Sequence, residues 1–105
     1  MKLLIITAVK SFEKKVRGIL EENKVLTFSY TPVVGYRDST LDAISKNWFA
    51  TEMNKVDSLL FFAFVPSEVA ENVFNAIEKT NETCNQESRL HIVISPIEKY
   101  NTIKK

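Results

Sequence analysis

The sequence predicts an α+β domain with four strands and two helices in the order βαββαβ. Three observations support this prediction. An apolar run over residues 59–65 ends at Pro66 and has the length of a buried strand. Residues 12–23 and 66–80 have apolar side chains at helical spacing. Three further segments, residues 2–8, 25–35 and 89–95, are rich in alternating apolar or β-branched residues, which are typical of strands.

The central strand, residues 59–65, is apolar on both faces. Successive side chains of a strand point to opposite faces, which separates Leu59, Phe61, Ala63 and Val65 from Leu60, Phe62 and Phe64. Two helices can cover one face of a small sheet, and the chain has no third layer for the other face. We therefore expect a second copy of the chain to cover that face.

The elements before the central strand follow from local patterns. Residues 2–8 are apolar on both faces and predict the first strand. Ser11 is a candidate N-cap for the first helix, and Phe12, Val16, Ile19 and Leu20 occupy one helical face. Residues 25–35 predict the second strand, in which Pro32 favours an edge position or a bulge near the strand's end, because proline has no backbone N–H to donate to a sheet.

The elements after the central strand complete the order. Pro66, Ser67 and Glu68 make a helix start, and the helical pattern runs to about residue 80. Residues 81–88 are polar, and the fourth strand, residues 89–95, stops at Pro96. This is the ferredoxin-like arrangement, an antiparallel four-stranded sheet with both helices on one face. We expect a single domain over residues 1–105, with a long loop at 36–56 and a tail at 96–105.

The composition gives no reason to expect nucleic-acid binding, membrane insertion or an internal disulfide. Fourteen basic and thirteen acidic residues leave a net charge of +1, so bulk charge gives no reason to expect nucleic acid. No apolar run approaches the roughly 18 residues of a membrane-spanning helix. The single cysteine, Cys84, cannot form an internal disulfide. We expect a cytoplasmic protein that does not insert into membranes.

Several motifs resemble the PII family of trimeric signalling proteins, as in a divergent, PII-like member. They are Lys10-Ser11-Phe12 with Val16-Arg17 and Leu20, then Val33-Val34-Gly35-Tyr36, and Val65-Pro66 followed by Val69 and Val73. The resemblance implies a homotrimer packed through sheet faces. It also implies ligands, usually adenine nucleotides, in clefts between subunits. The long loop would correspond to the family's T-loop, which binds a target protein. The expected target is a membrane transporter or efflux system.

The resemblance assigns ligand-binding roles to Gly35, Tyr36, Arg37 and Asp38 at the base of the loop, and to Arg89. The family's glycine-rich phosphate loop is missing, because residues 83–89 contain no glycine. Its other charged positions fall near Ser58, Phe62, Tyr100 and Thr102, which carry no charge. An adenine nucleotide stays a candidate ligand, but ATP binding of the ordinary kind is disfavoured.

Four residues have two interpretations each. Trp48 and Phe49, in the polar long loop, either anchor a target protein or pack back on their own trimer. His91 is the only histidine, which favours a structural or interface role over metal binding. Cys84 lies in a polar loop with no evident base, so a redox role is disfavoured.

Two other function classes, enzymes and RNA-binding domains, fit the sequence less well than a regulatory protein. No paired carboxylates or nucleophile and base stand out, and residues 7–11 lack the arginine of an acylphosphatase, so we expect no enzyme and no catalytic residues. Residues 59–65 lack the basic and glycine flanks of an RNA-binding strand. A metal-tolerance-type trimer or a small ferredoxin-like enzyme is the alternative.

Overall fold

The computed structural model describes residues 1–36, 55–83 and 90–101 of the 105-residue chain. Its elements follow the predicted order, βαββαβ, with one turn of 3₁₀ helix, Lys10–Phe12, before the first α-helix. They are β1 (Lys2–Val9), α1 (Glu13–Glu22), β2 (Ser29–Tyr36), β3 (Lys55–Val65), α2 (Ser67–Asn81) and β4 (His91–Pro96). The predicted α+β, ferredoxin-like class is confirmed.

The four strands form one antiparallel sheet in the order β2-β3-β1-β4. Leu4 on β1 pairs with Ala63 on β3 and with Ile94 on β4. The two outer strands are therefore β2 and β4. Pro32 lies in β2, as its missing N–H requires of an edge strand.

One face of the sheet packs against both helices. Each helix buries one apolar stripe at the spacing predicted from the sequence. α2 starts at Ser67 and has Glu68 in its first turn. The sheet supplies alternate residues of β1 and β3, because only one face of each strand points toward the helices. The buried apolar core consists of Leu4, Ile6, Ala8, Val16, Ile19, Leu20, Val25, Leu59, Phe61, Ala63, Val65, Ala70, Val73, Ile77 and Leu90.

The start of α1 differs from the prediction. Ser11 lies inside the 3₁₀ turn, and Phe12 occupies the N-cap position without a side-chain hydrogen bond. The N–H of Glu13 instead donates to the carbonyl oxygen of Lys10. The predicted Ser11 cap is wrong, because the chain enters the helix through a tighter turn that supplies its own backbone bond.

The end of α1 is closed by Lys24, which has a positive φ of 69°. The N–H of Lys24 donates to Glu21 O at 3.1 Å, and the N–H of Val25 donates to Leu20 O at 2.9 Å. This pair of bonds is the Schellman motif. The side chains of Leu20 and Val25 are both buried, as the motif's accompanying apolar contact requires.

Lys24→Gly is expected to stabilise the chain by about 0.5–1 kcal/mol, because a residue with a Cβ is strained in the left-handed region. Denaturation in urea would measure the change in the free energy of unfolding. Glu21→Gly, one turn earlier in the helix, is the control and should cost about 1 kcal/mol. Equal losses of stability from both substitutions would contradict the assignment of Lys24 as the cap.

Strand ends also differ from the predicted ones. β2 begins at Ser29 instead of Val25, because residues 24 and 25 close α1. Tyr36 and Lys55, expected within the long loop, pair with each other and extend the β2–β3 hairpin. Pro96, expected in the tail, ends β4. In the part of the chain that the structure describes, no helix is long and apolar enough to span a membrane.

Candidate functional site

The sheet face that points away from the helices, called the open face below, exposes large apolar side chains. Buried and exposed residues alternate along β3: Phe61 is 1% exposed, whereas Phe62 is 37% and Phe64 is 60% exposed. Strand pairing places Leu3 beside Phe64 and Ile5 beside Phe62. The open face, taken from β1, β3 and β4, consists of Leu3, Ile5, Thr7, Val9, Ser58, Leu60, Phe62, Phe64, His91, Val93 and Ser95.

One end of the open face is apolar. The rings of Phe62 and Phe64 lie edge to face, with centroids 6.3 Å apart and planes at 82°. Leu3 and Ile5 flank them on β1, and Val93 lies opposite Ile5 on β4. We call these five residues the apolar patch. A contiguous exposed apolar surface of this kind marks an interaction site, because water contact with it is unfavourable.

The other end of the open face is polar. Thr7 pairs with Leu60 on one side and with His91 on the other, and Ser58 lies opposite Val9. Thr7 and Ser58 are only 2% and 4% exposed. Among the described residues, the Thr7 Oγ1 atom is buried without a hydrogen-bond partner. The placement of His91, half-buried beside Thr7, is compatible with the expected structural or interface role.

Thr7→Val is expected to raise the free energy of unfolding by about 1–2 kcal/mol, because it removes a buried hydroxyl that has no partner and keeps the side-chain shape. Thr7→Ser, which keeps the hydroxyl and loses a methyl group, is the control and should destabilise. Thermal and urea denaturation would measure both. A loss of stability in Thr7→Val would instead mean that the hydroxyl has a hydrogen-bond partner in the native assembly.

The predicted ligand-binding residues fall partly within the described structure. Gly35 and Tyr36 are the last residues of β2, where their backbones pair with Val56 and Lys55. Arg37 and Asp38, which follow directly, lie outside the described residues, as does Arg89. The predicted target-binding residues, Trp48 and Phe49, and the loop cysteine, Cys84, lie outside them as well.

The described residues next to the two parts of the predicted ligand site lie at opposite edges of the sheet. Gly35 is on the edge strand β2, and Leu90, which follows Arg89, directly precedes the edge strand β4. β3 and β1 lie between them, so three interstrand spacings of about 4.8 Å separate the edges by about 14 Å. The described backbone of one chain does not bring Gly35 and Leu90 together.

Sequence reasoning missed one polar contact near this site. Asn81, the last residue of α2, was expected to begin a polar loop. Its Nδ2 donates to the carbonyl oxygen of Leu90 at 2.8 Å, and its Oδ1 accepts from the N–H of Leu90 at 2.8 Å. A primary amide has the donor and acceptor that such a backbone pair needs. The only sequence signal for it is an asparagine at the end of a helical pattern.

A second polar cluster lies on the helix side of the sheet. The hydroxyl of Tyr30 donates to Glu13 Oε2 at 2.9 Å, and Arg17 Nη1 lies 3.4 Å from the same oxygen. The Tyr30 ring stacks on Phe61, with centroids 4.9 Å apart. The hydrogen bond to Glu13 raises the pKa of Tyr30 above its usual value. This cluster joins the edge strand β2 to α1 and has the character of a structural contact.

Metal-ligating side chains do not converge in the described part of the chain. Residues 1–36, 55–83 and 90–101 contain no group of three or more His, Cys, Asp or Glu side chains placed to hold a metal ion. The candidate functional surface is the open face, together with the end of β2 at Gly35 and Tyr36 and the start of β4 at Leu90.

The fold is similar to those of solved structures. No protein-family model and no curated protein matches the chain. Among solved structures, it is similar to CPII, a nitrogen regulatory PII-like protein from Thiomonas intermedia K12 bound to ADP, AMP and bicarbonate. The TM-score is 0.68 at 13% identity, over 97% of this chain and 94% of CPII.

The chain is also similar to a DUF3240 family protein from Shewanella baltica OS155, with a TM-score of 0.66 at 14% identity. That match covers 98% of this chain and 96% of the other. Identities this low establish a shared fold. The chain therefore has a PII-like fold, and the fold that the sequence motifs implied is confirmed.

Proposed function

We propose that this chain is a PII-like regulatory protein that forms a homotrimer, senses a small ligand between subunits and binds a target protein. In this proposal residues 1–105 form one domain. The long loop between β2 and β3, residues 37–54, acts as the T-loop, and residues 97–105 form a tail. The observation that carries the proposal is the apolar patch, which neither helix of the described part of the chain covers.

The magnitude of the exposed surface supports assembly. A phenylalanine side chain has about 200 Å² of surface, so the exposed fractions of Phe62 and Phe64 amount to about 200 Å² together. At about 25 cal/mol per Å², burying them would contribute about 5 kcal/mol per subunit. Leu3, Ile5 and Val93 would add to this. A neighbouring copy presents the same apolar surface and is therefore the natural cover.

The sheet topology supports a ligand cleft between subunits. Gly35 and Leu90 occupy opposite edges of one sheet, about 14 Å apart. Packing of several sheets around an axis would place the β2 edge of one copy near the β4 edge of the next. The cleft would then combine Gly35, Tyr36, Arg37 and Asp38 of one subunit with Arg89 of its neighbour.

Ligand chemistry follows from these side chains. The two guanidinium groups would favour an anionic ligand, since arginine binds phosphate and carboxylate oxygens in a bidentate manner. Because residues 83–89 lack glycine, the backbone offers a poorer phosphate cradle than a glycine-rich loop. ADP, AMP and bicarbonate, the ligands found with CPII, are therefore the first compounds to test.

Target binding would be carried by the long loop. Trp48 and Phe49 are the large aromatic residues within it, and aromatic residues dominate binding hot spots. The proposed target is a membrane transporter or efflux system. A double Trp48→Ala and Phe49→Ala variant should lose the partner that the wild type retains from a membrane extract. Unchanged retention would contradict the assignment of these two residues.

Size-exclusion chromatography with light scattering tests the assembly, followed by thermal shift with ADP, AMP, ATP, bicarbonate and divalent metals. We expect a mass of about 36 kDa, three times the 12.0 kDa of the chain, and a raised Tm with one compound. A monomer at every concentration would overturn the trimer. Stabilisation by a divalent metal alone would favour the metal-tolerance alternative.

A further inference from the structure

Permanently charged side chains are missing from the open face of the described strands. The charged residues Lys2 and Asp57 belong to β1 and β3, but their positions alternate with those of the open face, so they lie on the helix side. β2 adds three uncharged residues to the open face, Ser29, Thr31 and Val33. Charged residues make up 26% of the chain. A face that lacks them has the composition of an interface core, from which charge is depleted.

His91 is the one side chain on the open face of these strands that can gain a charge near neutral pH. It is half-buried and pairs with Thr7 on β1. Val93, the next residue on the same face of β4, belongs to the apolar patch and lies two positions away, about 7 Å along the strand. A second copy that covers the apolar patch is therefore close enough to cover His91 as well.

The described groups around His91 on this face are uncharged. On β1 they are Thr7 and its neighbours Ile5 and Val9, and on β4 the neighbour is Val93. α2 packs against β4 from the opposite face, so the sheet separates the charged side chains of that helix from the imidazole. Those charged residues are Glu68, Glu71, Glu78 and Lys79. Among the described residues, His91 therefore sets the charge of the open face.

We propose that His91 makes assembly through the open face depend on pH: copies associate while the imidazole is neutral and separate when it is protonated. This inference rests on the proposed homotrimer. A histidine in water takes up its proton at about pH 6.5. Burial of the resulting cation against the apolar patch of another copy is unfavourable, whereas the free chain leaves it in contact with water. Acid therefore favours the free chain.

The size of the effect follows from the number of protons that dissociation takes up. Separation of a trimer exposes His91 in each of its copies, so it takes up about three protons. At about one pH unit below the ionisation of a free histidine, each proton contributes a factor of about ten. The dissociation constant of the trimer should therefore rise about a thousandfold between about pH 8 and about pH 5.5.

Light scattering over a dilution series at about pH 8 and about pH 5.5 measures this change. We expect the mass of the wild type to fall from about 36 kDa toward 12.0 kDa on acidification. Because His91 is the only histidine of the sequence, His91→Gln removes the one side chain that ordinarily titrates in this range. The mass of His91→Gln should be the same at both pH values.

Two further proteins separate charge from acid damage. His91→Lys carries its charge at both pH values, so at about pH 8 it should dissociate at higher concentration than the wild type. Circular dichroism of Phe64→Asp, which is expected to be monomeric, should be unchanged on acidification. Such a result would exclude unfolding of the chain as the cause of the lower mass.

A wild-type trimer whose dissociation constant changes less than about threefold between the two pH values would contradict the role of His91 and leave the proposed trimer intact. Acid dissociation that persists in His91→Gln would also contradict it, because another group would then carry the pH dependence. A wild type that is monomeric at about pH 8 would reject the proposed trimer itself, and the role of His91 with it.

Discussion

Replacement of Phe64 by aspartate is expected to convert an assembly of about 36 kDa into a folded monomer of 12.0 kDa. Phe64 is 60% exposed in the chain, so the carboxylate can remain hydrated in the monomer. In an assembly that covers the apolar patch, the same carboxylate would be buried without a partner, which costs several kcal/mol. The substitution therefore opposes association far more than it opposes folding.

Light scattering measures the mass of Phe64→Asp, and circular dichroism checks that the fold persists. Leu26→Asp is a matched control, because Leu26 is 84% exposed but lies in the connection between α1 and β2 and not on a strand of the open face. We expect Leu26→Asp to keep the wild-type mass. A trimer that survives Phe64→Asp would place the subunit interface elsewhere and remove the main support for the proposed function.

The division between the two faces of the sheet could be predicted from the sequence because strand geometry is local. Side chains alternate along any strand, so seven apolar residues in a row require two covered faces. The exposures of Phe61 and Phe62 match that alternation. The helical stripes were equally predictable, since a spacing of three and four residues defines one helical face.

Element ends and caps could not be predicted, because they depend on backbone conformations that lysine and serine do not signal. Lys24 adopts a left-handed conformation where glycine is usual. Because no glycine signals the end of α1, neither that end nor the late start of β2 could be predicted. Ser11 has the composition of a cap, but the backbone enters the helix through a 3₁₀ turn.

The candidate site could be predicted only in part, since it depends on contacts between distant residues. Gly35 was placed correctly at the end of β2, whereas Tyr36 was expected in the long loop and is the last residue of the strand. The distance of both residues from Leu90 depends on strand order. The two hydrogen bonds between the Asn81 amide and the Leu90 backbone join residues nine apart through a side chain that is also common in loops. If residues from two copies of the chain form one binding site, their spacing within a single sequence does not indicate that they lie together.

Phe61→Ala is expected to lower the free energy of unfolding by about 3–5 kcal/mol, the range for a fully buried phenylalanine. Phe61 is 1% exposed and packs against Tyr30 and Phe28, with ring centroids 4.9 and 6.2 Å away. Truncation would leave a cavity between the sheet and α1 and remove the ring on which Tyr30 stacks. Such a loss is a large fraction of the 5–15 kcal/mol stability typical of a domain, on the order of a third.

Phe62 is the control for Phe61, because it is the next residue in β3 and lies on the opposite face of the sheet. In the Phe64→Asp background, where the chain is expected to be alone, Phe62→Ala should cost clearly less than Phe61→Ala, because Phe62 is 37% exposed and Phe61 only 1%. With Phe64 intact, Phe62→Ala should instead weaken the trimer, so that its mass falls on dilution. Equal costs for the two substitutions in the monomeric background would mean that the chain itself buries both faces of β3, and the reason for assembly would disappear.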